Sequence, residues 1–211
     1  MVTPQRRNRH AMLVKLRVLS EHSLGRAAQS LTALLGYPVR LAVSRITTVS
    51  LGEMPALLAA AGTDRMAGLR VQIGGETGGQ IIILFPLGTV FRMLRVLLGT
   101  HEGPRPLSEE ERSAVQEVGN ILASSFLSGL SDLLGKPLMP SPPEIHLDDL
   151  KGLMGQVAAD LKGHASEILV VQALFEDPEQ LIEGRFFVLP EMESLEAMLR
   201  PAEAGKRSED A

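Results

Sequence analysis

Between residues 108 and 134, apolar positions recur at helical spacing. Val115, Val118, Ile121, Leu122, Phe126, Leu130, Leu133 and Leu134 fall on one face and predict a long amphipathic helix. Ser108 followed by Glu111 has the spacing of a capping box, and the acidic residues 109–111 suit the positive end of the helix dipole. Gly135 predicts a left-handed cap, and Pro137 blocks continuation. A second helical period covers about residues 11–35 and stops at Gly36. Residues 39–51, rich in β-branched side chains, predict a strand, and 52–62 a short helix with Pro55 near its start. Residues 69–86 predict two strands around a Gly-rich turn, and 87–99 another amphipathic helix.

The second half of the chain then repeats the first. LLGYP (34–38) corresponds to LLGKP (133–137), and at the same offset Leu31 matches Leu130, Pro38 matches Pro137 and Ile46 matches Ile145. Residues 146–161 take the place of the short helix 52–62, and 168–176 with 184–190 take the place of the hairpin. Residues 190–199 echo the helix 87–99. The repeat predicts one domain over 11–200, with pseudo-symmetric halves at about 11–100 and 107–200, because each strand set can extend the other into one sheet. Residues 1–10 predict a flexible basic N-terminus, and 201–211 a disordered polar tail.

The polar face of the 108–134 helix carries Ser113, Glu117, Asn120 and Ser124 in one stripe. A solvated helix face would satisfy the spacing alone. The full order is more particular. Ser113, then three residues, Glu117, then two, Asn120, then 22, Pro143 resembles the signature of the CheC/CheX/FliY phosphatases of bacterial and archaeal chemotaxis. The flanking EVGNIL (117–122) and LSDLLG (130–135) look most like CheC. One departure is that Ser124 stands where such sequences often carry Gly.

The resemblance implies an α+β fold of two layers, an internally duplicated CheC-like domain whose central sheet carries the two long motif helices on one face. It also implies dephosphorylation of the aspartyl phosphate of the response regulator CheY. Asn120 would orient the attacking water, Glu117 would dock to a Lys of the regulator, and Ser113 and Pro143 would support the helix and the contact surface. Any Mg²⁺ would sit on the regulator, so the chain needs no cofactor or metal of its own. The deamidase CheD is a further partner known for the family. In the first repeat, Val18, Glu21 and Ser44 stand at the positions of Glu117, Asn120 and Pro143. Valine can neither dock to a lysine nor bond water, so one catalytic site per chain is expected, with Val18 packed and Glu21 solvated. The alternative is a non-catalytic binding or scaffold protein of the chemotaxis or flagellar-switch apparatus, such as a CheD-binding adaptor.

Composition narrows the chemistry. There is no Cys, which excludes thiol catalysis and disulfides and fits a reducing cytoplasm. The net charge of −4 argues against a nucleic-acid binder. No apolar run reaches the roughly 18 residues of a membrane span, and no secretory signal is legible. GGETGG (74–79) lacks the Gly-Lys-Ser/Thr ending of a phosphate loop and predicts a hairpin turn. His10, His22, His101, His146 and His164 share no metal-ligand spacing, and Asp148 and Asp149 are expected to cap a helix over 150–161.

Overall fold

The computed structural model describes residues 4–50, 52–59, 65–75, 78–99, 105–161, 167–176 and 182–191 of the 211-residue chain. The expected helix at 190–199 and the tail at 201–211 lie outside these residues, apart from residues 190 and 191. The elements run α1 (Pro4–Leu35), β1 (Arg40–Ser50), α2 (Met54–Ala59), β2 (Met66–Gly75), β3 (Gly79–Pro86) and α3 (Leu87–Leu98), then α4 (Glu109–Leu134), β4 (Leu138–Pro140), β5 (Glu144–Leu147), α5 (Leu150–Leu161), β6 (Glu167–Glu176) and β7 (Arg185–Pro190).

One antiparallel sheet holds all seven strands in the order β1-β6-β7-β3-β2-β4, with β5 also paired to β2. The order is symmetric about the β3–β7 pair. The lead strand of the first repeat, β1, pairs with β6 of the second, while β4 and β5 of the second pair with β2 of the first. The registers agree. Ile46 faces Val171 as Ile145 faces Leu69, and Leu41 faces Phe175 as Pro140 faces Ile73. The Gly-rich segment joins two antiparallel strands, as a hairpin requires.

Alternation along the strands divides the core. Leu69, Val71, Ile81, Ile83 and Phe186 point to the side occupied by α1, α3 and α4. Ile82, Leu84, Val170, Phe187 and Leu189 point to the other, where Met54 of α2 and Leu153 and Val157 of α5 cover them. The two long motif helices therefore share one face of a central sheet in an α+β fold. The short helices add a cover on the opposite face. Phe126 of α4 packs on Phe186 of β7 with ring centroids 5.3 Å apart, which ties the helix to the middle of the sheet.

α1 and α4 lie side by side. Ser125 donates to Ser30 at 2.8 Å, Arg26 pairs with Asp132, and a Cβ on Gly129 would stand 3.0 Å from the Ser23 Cα. The absent side chain at Gly129 lets the helices approach.

Element limits differ from expectation in several places. α1 begins at Pro4, so the basic segment from residue 4 is helical backbone, because proline suits a first helical turn and the residues after it tolerate a helix. His146 and Leu147 belong to β5 and not to the following helix. The strand ends where Asp148 takes φ 54°, and α5 begins after Asp149, which accepts from the Gly152 N–H at 2.8 Å. Residues 138–147 also form two short strands that the apolar pattern does not announce, because prolines at 140, 142 and 143 interrupt it.

Gly129→Val tests the helix contact. It should lower stability by about 1–3 kcal/mol through overpacking, whereas Ser128→Ala on the exposed side of the same turn should change it by less than about 0.5 kcal/mol, both read from urea denaturation midpoints.

Candidate functional site

The site is built on the first half of α4, whose start is fixed firmly. Ser108 Oγ accepts from the Glu111 N–H at 3.2 Å, and the Glu111 carboxylate accepts from the Ser108 N–H at 2.9 Å, which completes the capping box. Arg105 adds a two-pronged contact to the same carboxylate at 2.8 and 2.7 Å. Glu111 is buried, and the Arg105 bond, reinforced by the Ser108 N–H, holds its carboxyl below the ordinary glutamate range against the opposing pull of burial.

From this anchor α4 descends onto β2. A Cβ on Gly119 would lie 2.9 Å from Leu69 Cδ1, so that turn sits low on the sheet. The neighbouring turn presents the polar stripe outward. Ser113 and Glu117 are exposed, and Asn120 and Ser124 are half-buried. Glu117 has no ion-pair partner among the described residues. Asn120 Oδ1 accepts from Ser124 Oγ at 3.4 Å, while no described protein group accepts from its Nδ2 amino group. The serine found where similar sequences often carry Gly thus fixes one end of the carboxamide and leaves the other end open. An exposed carboxylate and a carboxamide with free donors, one helical turn apart, can grip a cation and align a polar ligand without a metal. Among the described residues, no group of three or more His, Asp or Glu side chains could hold a metal ion.

Pro143 is brought to the same place from the sheet. The segment 141–143 crosses the gap between β4 and β5, where prolines cannot donate to β2. Ser141 replaces those bonds: its N–H donates to the Gln72 carbonyl and its Oγ accepts from the Gln72 N–H, both at 2.9 Å. Pro143 is buried, and its carbonyl accepts from Gln116 Nε2 of α4 at 2.9 Å. Ser113, Glu117 and Asn120 therefore lie along one helix face, with Pro143 held beside it. Gln116 was not singled out in the sequence. Its only signal there is its place one turn before Asn120.

The first repeat has the same frame with different chemistry. β1 has a register shift between Val43 and Arg45, and Ser44 sits at that shift and donates to the Gln172 carbonyl at 3.2 Å. Arg17, at the position of Gln116, donates to the Val43 carbonyl at 3.4 Å and pairs with Glu21 at 3.5 Å. Glu21 is solvated as expected. Val18 is not packed: it is 59% exposed, because its turn of α1 faces outward as the Glu117 turn of α4 does.

The resemblance seen in the sequence holds under direct comparison. A CheC-like family model matches residues 110–147, which include all four signature positions. The chain is similar to the CheY-P phosphatase CheC of Bacillus subtilis, with 26% identity across 87% of this chain and 90% of that one. Its fold matches Thermotoga maritima FliY with a TM-score of 0.69 at 18% identity, covering 94% of this chain and 96% of the other. It also matches CheX of Borrelia burgdorferi, solved in a complex with CheY, BeF₃ and Mg²⁺, with a TM-score of 0.52 at 20% identity over 81% of this chain and 96% of the other. No helix among the described residues is long and apolar enough to cross a membrane.

The Glu111 anchor has a pH signature. Its carboxyl titrates lower in the folded chain than in the unfolded one, so its contribution is complete above the unfolded value and is lost as pH falls through the folded value. Glu111→Gln should therefore lower the thermal midpoint at pH 7 and flatten the loss of stability below about pH 4.3. Melting curves taken across pH 3–7 check both outcomes.

Proposed function

We propose that this chain hydrolyses the aspartyl phosphate of a CheY-type response regulator at one site on α4. The observation that carries this reading is the Glu117–Asn120 pair. Glu117 is exposed and Asn120 half-buried on one face of α4. Among the described residues the carboxylate has no ion-pair partner and the carboxamide amino group no acceptor, and both lie within the segment that matches the CheC-like family. The similarity to a CheY-P phosphatase and the fold shared with a CheY-bound CheX supply the substrate class.

An acyl phosphate is already reactive, so the catalyst has mainly to place water in line with phosphorus and keep the two proteins in register. In this reading Glu117 forms a charge-assisted bond to a lysine of the regulator and sets the depth of α4 in its crevice. Asn120 accepts from the attacking water and donates to the phosphoryl oxygens, which a neutral carboxamide can do without adding charge. The water oxygen bonds to phosphorus, the acyl O–P bond breaks, and its electron pair returns to the regulator's aspartate. The protons of the water leave with the inorganic phosphate. Any Mg²⁺ is held by the regulator, and this chain contributes no ligand to it. Ser113 and Pro143 shape the contact surface.

The first repeat takes no part in the reaction. Val18 offers no charge to a lysine, and Glu21 would bring a second negative charge towards the phosphoryl group, which is repulsive at short range.

Two measurements separate this reading from that of a non-catalytic adaptor, including one that binds a CheD-type deamidase. Phosphate release from a CheY-type regulator phosphorylated with acetyl phosphate should be accelerated by the wild-type chain. Asn120→Ala should lower that rate by about 10²–10³ with an unchanged melting curve, and Glu117→Ala should weaken regulator binding as well. Wild-type activity in folded Asn120→Ala would refute the positioning role. In the second measurement, Glu117→Ala/Asn120→Ala should be inactive while Val18→Ala/Glu21→Ala keeps a near-normal rate. Residual activity in the former that disappears only when α1 is also altered would show that both repeats work.

A further inference from the structure

We infer that Gln116 is a positioning residue for the proposed reaction, acting through the carbonyl of Pro143. The inference rests on the α4 reading above and adds to it a residue outside the signature. Gln116 lies on the turn between Ser113 and Asn120, and its Nε2 donates to the Pro143 carbonyl at 2.9 Å. No ladder pair with β2 covers residues 141–143. Among the described residues, the hydrogen bonds that tie this segment to the rest of the fold are those of Ser141 to Gln72 on the sheet and of Gln116 on α4 to the Pro143 carbonyl. Without the second bond the segment can move away from the helix while the strands on either side stay paired. The wall of the site that flanks Asn120 would then be free to shift.

The internal repeat supports the assignment independently. Arg17 occupies the position of Gln116 on α1, and it too reaches the adjoining strand at its irregular point, donating to the Val43 carbonyl at 3.4 Å. Two different side chains at one repeat position make the same kind of bond, a helix donor to the carbonyl of an interrupted strand. A neutral donor stands beside Glu117, to which the regulator's lysine would dock, and a charged one stands in the first repeat. Gln116 thus fixes the Pro143 wall without placing a full positive charge next to Glu117, where it would compete with the regulator's lysine.

The test is a steady-state assay with the same acetyl-phosphate-treated regulator. Gln116→Met keeps size and neutrality but cannot donate. It should raise KM for the phosphorylated regulator about threefold to tenfold, the usual effect of one lost hydrogen bond, while kcat stays within about twofold because Asn120 is untouched. Gln116→Arg restores a donor to the carbonyl but introduces the charge; it should bring the melting midpoint back to that of the wild type while KM stays high at low salt and falls as salt is added. If Gln116→Met fails to fold, Gln116→Glu, equal in size and without a donor, replaces it in the same assay at high salt. Unchanged KM and kcat in an active, folded Gln116→Met would overturn this inference alone. A wild-type chain that releases no phosphate would overturn the proposed function and this inference with it.

Discussion

The antiparallel exchange of lead strands between the two repeats is the constraint on which the rest of this structure depends. β1 completes the hairpin of the second repeat, and β4 with β5 completes that of the first, so neither repeat can close its share of the sheet alone. The hairpins meet at β3–β7, where Ile81 faces Val188 and Ile83 faces Phe186. Once that centre is formed, the connections leave α1 and α4 side by side over one face. The contact at Gly129 and the Ser125–Ser30 bond then follow from the sheet as much as from the helices.

The exchange also explains why each lead strand is broken at the same place. A strand that leaves its own repeat to join the other must pass beneath its own long helix. In the first repeat the passage is a register shift at Ser44, and in the second it is the gap at 141–143. A broken ladder leaves carbonyls without partners, and buried polar groups need bonds. Arg17 and Gln116 supply them from the helices. The proposed site on α4 thus lies where the fold has already interrupted its sheet, beside a segment that is not strand.

Much of this was legible in the sequence, and the exceptions share a cause. The caps of α4 were written in Ser108, Glu111 and Gly135, because local bonds decide them. The repeat announced the symmetry, and alternation announced the strands of both hairpins. The short strands β4 and β5 were hidden because prolines occupy the positions where strand residues would alternate, and only pairing with β2 reveals them. Arg105 and Gln116 were hidden because their roles are set by carboxylate and carbonyl partners brought close by tertiary structure. Val18 reads as a packing residue because valine is apolar and falls at helical spacing, yet it faces out with Val14 one turn earlier, as its match with Glu117 in the repeat implies.

That symmetry also divides the four signature residues into two kinds. Pro143 marks an interruption that the first repeat makes with a serine, so the interruption belongs to the fold, and proline is one way of holding it. Ser113 and Val14 stand at equivalent exposed positions, with Val14 52% exposed, and neither supports the core. Glu117 and Asn120 correspond to Val18 and Glu21 across the pseudo-symmetry, on the equivalent turn of each long helix. The two helices share a donor to the adjoining strand and an outward turn, and they differ there in the side chains they expose. Val18 and Glu117 are both exposed, so burial does not dictate the residue at that position, and the proposed function assigns the difference to what α4 meets outside the chain.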